Sequence, residues 1–224
     1  MEDLENRWQH LSLTESEERK VDLTRNKKNL NFVLAAKFFT RRSINIEAVA
    51  RTFRSIWRTR GSFEVSEGGN NIALMAFELE VDLEKVLQGE PWAFDRHLVA
   101  FLRYDGTMPV QNLRFEKTTF WVQLHNLPFA LLTVEAAISI GETIGTIVKS
   151  KDVGEMRGGN FMRIRVEVDI TKPLCRGRKI SWDGQGNDWV AFMYERLPNI
   201  CYWCGQASHD DKDCILWLSS KGSL

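Results

Sequence analysis

This sequence has no surplus of charge: 30 Lys and Arg face 30 Asp and Glu in 224 residues. That balance argues against a uniformly cationic polyanion binder, so any contact with nucleic acid depends on how the charges are distributed. No stretch approaches the roughly 20 apolar residues that cross a bilayer, so no membrane partner is expected. The opening MEDLENRWQHLSL has neither a basic start nor an apolar run before a small-residue cleavage site, and no secretory leader is expected. Catalytic signatures are lacking too: there is no G-x-S-x-G, P-loop, H-E-x-x-H or acidic cluster suited to paired metals, and His10, His97 and His125 are scattered. Gly158 and Gly159 lack the surroundings of a phosphate-cradling loop and read as a turn. Neither an enzyme nor a small-molecule substrate is expected.

What is present is a globular composition, 43% hydrophobic and 27% charged, with enough apolar surface for one large or two small cores. The expected compartment is nucleus or cytoplasm, where clustered cysteines hold metal or do redox chemistry more often than they form disulfides. Three of the four cysteines lie in CYWCGQASHDDKDC, residues 201 to 214. Cys201, Cys204, His209 and Cys214 read C-x2-C-x4-H-x4-C, a set able to close a tetrahedral shell around one zinc ion. With all four positions supplied by protein, that zinc is structural, since none is left for water or substrate. Gly205 suits the turn over the metal. The alternative is a chance cluster or a redox C-x-x-C pair, the latter having no need of the histidine and cysteine that follow and being expected after a strand in a thioredoxin-like setting. Cys175 reads as a half-buried structural thiol.

The spacing resembles the retroviral-type CCHC zinc knuckle, and YERLPNICYWCGQASH resembles its variant in plant retrotransposon-derived proteins. Upstream, VLQGEPWAFDRHLVAF, FWVQLHNLPF and VEVDITKPLCRGRKI resemble the plant domain of unknown function 4283 that precedes such a knuckle. The resemblance covers roughly residues 30 to 214. It implies a nucleic-acid-binding, gag-like protein similar to the first reading-frame product of LINE-type elements.

Residues 1–29 are rich in charge without a regular apolar period and are expected to form a mobile arm with a short helical stretch. NFVLAAKFF then reads as a buried strand, and NIEAVARTFRSIW as a helix capped by Asn45. SFEV and IALMAFEL are strands joined by the turn SEGGNN, VDLEKVLQ is a helix ended by Gly89 and Pro91, and HLVAFLRY is a fourth strand. This β-α-β-β-α-β order over residues 30–105 is that of ferredoxin-like domains, of which the RNA-recognition motif is one version. With Phe77 at the last aromatic place of the RNP1 pattern, Ile72 and Leu74 stand where stacking rings are expected, so this strand is expected to pack against something else. Residues 106–196 form a second mixed segment: TFWVQLHNL, TIVKSKD, FMRIRVEVDI and DWVAFMYER as strands, a helix opened by Thr133, and an edge strand with a hairpin in TKPLCRGRKISWDGQGND. The alternation in RIRVEV places Arg163 and Arg165 on a wet face. The predicted fold class is therefore α+β, a ferredoxin-like or RRM-like domain extended by a second segment, with the knuckle (197–217) as an appendage joined through RLPNI and a tail at 218–224.

Two basic patches are candidate phosphate contacts. Between Lys37 and Arg60 there are seven basic residues against one acidic residue, Glu47. Within it Arg51, Arg54 and Arg58 are spaced to form one helical stripe, which either binds phosphates or is an ordinary solvated face. Lys172, Arg176, Arg178 and Lys179 form a weaker second patch. Tyr202 and Trp203, between the first two cysteines, are candidates for stacking on unpaired bases, with packing back on the body as the alternative. Trp217 is a candidate packing partner for Trp203. The DDKD loop and Ser208, in place of glycine before the histidine, depart from strongly binding nucleocapsid knuckles. The expected partner is RNA or single-stranded DNA; the alternative is self-association or binding of another protein through the aliphatic sheet and the tryptophans.

Overall fold

The structure is a computed structural model and describes residues 14–22, 32–149, 152–182, 184, 188–207, 209, 212 and 214–220. The expected arm thus lies outside the described residues except for 14–22, where a short helix, α1 (Glu15–Glu18), opens on a capping box between Thr14 and Glu17. Ser208 and most of the DDKD loop also lie outside the described residues.

The first sheet holds β1 (Val33–Phe38), β2 (Phe63–Gly69), β3 (Ile72–Phe77), β4 (Trp92–Phe94) and β5 (His97–Arg103), in the order β2-β3-β1-β5-β4. Every pairing in it is antiparallel. Helix α2 (Ile46–Trp57) follows β1, and α3 (Glu80–Gln88) follows β3. Asn45 caps α2 by accepting the Ala48 amide at 2.9 Å. Val49, Ala50, Phe53 and Trp57 then recur on one face and are buried. Trp57 is the hub of this core, stacked on Phe53 at 4.4 Å and within 6 Å of Phe63, Phe77, Trp92 and Phe101. The β2–β3 hairpin turns through Asn70 and Asn71, both with positive φ, as a primed turn requires.

The second sheet holds β6 (Lys117–His125), β7 (Thr146–Ile147), β8 (Met162–Asp169), β9 (Gly177–Ile180) and β10 (Asp188–Tyr194), in the order β7-β8-β6-β10-β9. This is the first sheet's order repeated, with each pairing again antiparallel. Helix α4 (Val134–Gly141) follows β6, capped as expected by Thr133, whose hydroxyl accepts the Ala136 amide at 3.2 Å. Here the crossover from β8 to β9 contains no helix. A last helix, α5 (Ile215–Ser220), follows the knuckle.

Two expectations change. The first sheet gains β4, which pairs with β5 across Asp95 and Arg96, a turn with φ of 48° and 64° built without glycine or asparagine. The strand expected over TIVKSKD shrinks to Thr146–Ile147. The aliphatic face of β3 is covered only in part: Leu74 and Ala76 are half-buried. Ile72 is buried, and a Cβ at Gly68 would approach Val110 Cγ1 to 3.0 Å, so the turn Val110–Asn112 sits on the hairpin. Leu98 and Ala100 from β5 join the core of the second sheet.

Candidate metal centre and nucleic-acid contacts

Cys201, Cys204, His209 and Cys214 converge, with one ligand atom from each lying within 4.8 Å of all the others. Ligands about 2.3 Å from a common tetrahedral centre lie about 3.8 Å apart, so the set fits zinc with small adjustment. The local backbone explains the convergence. Gly205, at φ +77°, turns the chain so that its amide donates to the Cys201 carbonyl at 2.7 Å. The Cys204 amide points at Cys201 Sγ at 3.4 Å, and Cys204 Sγ lies 3.3 Å from His209 Nε2. Burial pushes the Cys201 thiol up to about 12. At Cys214 burial acts the same way, but hydrogen bonds from the Trp217 backbone and from His209, Cys201 and Cys204 outweigh it and bring the thiol to about 7. A dication that replaces the thiol protons suits this crowded set, which holds one structural zinc ion.

The knuckle is docked on the body, which corrects its expected role as an appendage. Leu174 donates its amide to the Gly205 carbonyl at 2.9 Å, and Gln206 Nε2 donates to the Thr171 carbonyl at 2.8 Å. Ala207 is buried in the core of the second sheet, where Leu197 and Ile200 also pack. Tyr202 is 86% exposed and Trp203 53% exposed. Trp203 leans on Trp217, with centroids 4.7 Å apart, the pairing expected from the sequence.

The basic patches are less uniform than their spacing suggested. Arg51 and Arg54 are exposed on α2 and border a cleft of about 440 Å³ shared with Glu47 and Val65. Arg54 also donates to the Phe63 carbonyl at 3.3 Å. Arg58 leaves the stripe: it is the C-cap, in left-handed conformation at φ 46°, so its side chain departs from the helical row. Lys85 bonds the Trp57 and Arg58 carbonyls and closes that helix end. In the second patch Lys172 pairs with Asp169 at 2.8 Å, and Arg178 bonds the Thr143 hydroxyl and carbonyl. Arg176 is exposed.

Functional candidates missed by sequence reasoning lie across β8 and β6. The alternation of β8 does place Arg163 and Arg165 on one face, but both are half-buried. Arg163 lies 4.4 Å over the Trp121 ring and bonds Glu195 at 3.3 Å. Arg165 Nη2 donates to the Leu87 carbonyl at 3.2 Å, linking the second sheet to α3. Beside it Glu90, 7% exposed, accepts the Thr119 amide at 3.3 Å. Burial raises this carboxyl to about 7, with Glu167 adding to the rise, against the Thr119 bonds and the Arg165 charge. Arg196 clamps the Gly89 and Glu90 carbonyls at 2.8 and 3.0 Å. Of these groups Trp121, Arg165, Leu87, Glu90 and Thr119 line a cleft of about 910 Å³ between the sheets. The only sequence signal for this region was the charged alternation itself.

Comparison with known proteins agrees with the order of parts. Residues 26–111 match the family described as Domain of unknown function (DUF4283), and residues 168–216 match that described as Zinc knuckle. The knuckle match thus opens far upstream of Cys201 and takes in the segment on which the knuckle docks. An Arabidopsis thaliana relative, Uncharacterized protein At4g02000, is 29% identical over 141 residues, which is 61% of this chain and 43% of the relative. The match therefore spans less than half of that relative's length. No helix among the described residues is long and apolar enough to cross a membrane.

Proposed function

We propose that this chain is a non-catalytic, zinc-dependent nucleic-acid-binding protein of the gag-like, retrotransposon-derived kind, acting on RNA or single-stranded DNA in the nucleus or cytoplasm. The observation that carries the reading is the exposure of Tyr202 and Trp203 on a loop held by four metal ligands and braced by Trp217. Rings presented on a rigid knuckle stack on unpaired bases with little dependence on sequence. The strand order of the first sheet supports an RRM-like reading of that domain, in which β4 is an addition and Val110 covers part of the face that usually stacks bases. Arg51 supplies an exposed cation on the same body.

The test is fluorescence anisotropy with single-stranded RNA and DNA, on zinc-loaded and chelated protein. Replacing Tyr202 and Trp203 by alanine is expected to weaken binding by about ten- to a hundredfold, as lost stacking does. Unchanged affinity would reject the reading.

A second reading is favoured by one observation. Ile215, Leu216 and Leu218 of α5 are exposed at 77%, 61% and 52%, a patch suited to a protein partner or a second copy of this chain. Sedimentation of the wild type against a Leu216→Ser, Leu218→Ser variant separates it: self-association lost in the variant, with nucleic-acid affinity kept, supports this reading.

A further inference from the structure

We infer that the cleft between the two sheets, with the outer face of β8 and β6 at its mouth, is a nucleotide-binding site that takes one phosphate and the adjoining base of a single strand. This rests on the nucleic-acid reading above and assigns a second grip to the second sheet, away from the knuckle. At about 910 Å³ the cleft lies within the ~300–1,000 Å³ range of small-ligand sites.

The cleft gathers hydrogen-bond donors that lack acceptors. Arg114 and Lys149 line it and make no hydrogen bond or ion pair among the described residues. The Arg165 Nε–H is buried there without a partner, while Nη2 of the same side chain is held by Leu87. The other two cations of the lining are occupied, Arg103 by Glu84 and Lys117 by Glu167. Converging guanidinium and ammonium donors suit a group with several acceptor oxygens and negative charge, and a phosphodiester supplies both. Glu90, Glu116 and Glu155 oppose that charge from the same lining. Their presence restricts the site to a single phosphate and disfavours a polyphosphate.

Beside the cleft the Arg163 guanidinium lies over Trp121, 4.4 Å from its centroid, and the pair offers guanidinium and ring surfaces to an unpaired base. Gln123 and His125 follow on β6, the His125 ring stacked on Phe161 at 4.8 Å. These groups occupy the sheet face opposite α4, the kind of face on which RNA modules stack bases. In the first sheet the equivalent face is partly covered, by Val110 at the hairpin and by the second core at Leu98 and Ala100.

The experiment uses the full zinc-loaded chain with Arg114→Gln and Lys149→Gln combined, both exposed positions. Affinity for a single-stranded oligonucleotide is expected to fall about tenfold or more. The slope of log K against log salt should shrink by about 1.4, since each lost contact to a single strand removes about 0.7. Trp203→Ala, at the knuckle, should lower affinity while leaving the slope unchanged. In a second arm, uridine monophosphate should shift the Trp121 indole and Arg165 Nε–H resonances in the wild type but not in the double variant, and uridine without phosphate should shift neither. An unchanged salt slope with no shift from the monophosphate overturns the inference. If no strand binds the chain at all, the nucleic-acid reading falls. The monophosphate arm then decides the cleft alone: a shift keeps it as a site for free nucleotide, and no shift removes it.

Discussion

In the first sheet α2 and α3 bury one face beneath a cluster of aromatic rings centred on Trp57, whereas in the second, among the described residues, α4 alone lies on the corresponding face and the zinc knuckle contributes Ala207, Ile200 and Leu197. Both sheets share one strand order, so the difference is one of finishing. Where the first has α3 between its third and fourth strands, the second has an irregular crossover that bonds the knuckle through Thr171 and Leu174. A helix closes its own backbone bonds over each turn, but a fourteen-residue loop cannot bury enough apolar surface to hold a shape. Metal ligation supplies the missing order, and the docked loop then covers core that a helix covers in the other half.

Zinc removal is the strongest way to break this comparison, since structural zinc contributes about 10–16 kcal/mol of apparent binding free energy. Chelation is expected to expose the Leu174 and Cys201 amides to hydrogen exchange while leaving those of β1 and β3 protected. Simultaneous loss of protection in both sheets would show that the knuckle supports the whole body. The reverse experiment is Trp57→Ala, expected to cost about 3–5 kcal/mol because it empties the centre of the first core. Chemical denaturation reads the loss, and zinc retention in the folded variant would show that the second half stands apart.

Between these lies the joint, where Glu90 makes stability depend on pH. Its carboxyl stands at about 7 in the fold against 4.5 ordinarily, so the folded state binds this proton more tightly than the unfolded one. The contribution is therefore fully present below about 4.5 and lost as pH rises through about 7, a change of about 3 kcal/mol. Glu90→Gln is expected to flatten the melting temperature over this window, measured by calorimetry at fixed ionic strength. The smallest effects are those of the helix caps. Asn45→Ala and Thr133→Ala should each cost about 1 kcal/mol, the first seen at α2 and the second at α4 by hydrogen exchange.

The parts legible from residues alone share a short range. Asn45 and Thr133 announce their helices because a cap acts over three residues, and the β2–β3 turn is announced by its asparagines. The turn at Asp95 and Arg96 has no glycine or asparagine, and although Asp tolerates the left-handed conformation Arg is not a usual occupant of it, so β4 has no local signal. Arg58 was misplaced for a related reason: its helical spacing holds only if the helix continues, and it stops at Trp57. Trp121 and Arg163 are 42 positions apart, and the strand register that brings Trp121 opposite Arg165 has no local signature.

The zinc ligand set and the α+β character follow from the chain alone, because four soft donors within fourteen residues and regular apolar periods are local facts. Tertiary structure alone decided that the second sheet repeats the first, that the knuckle lies against it, and that uncommitted cations gather between the two. Such placements depend on which distant surfaces lose the most water by meeting, a quantity that no short window of residues contains.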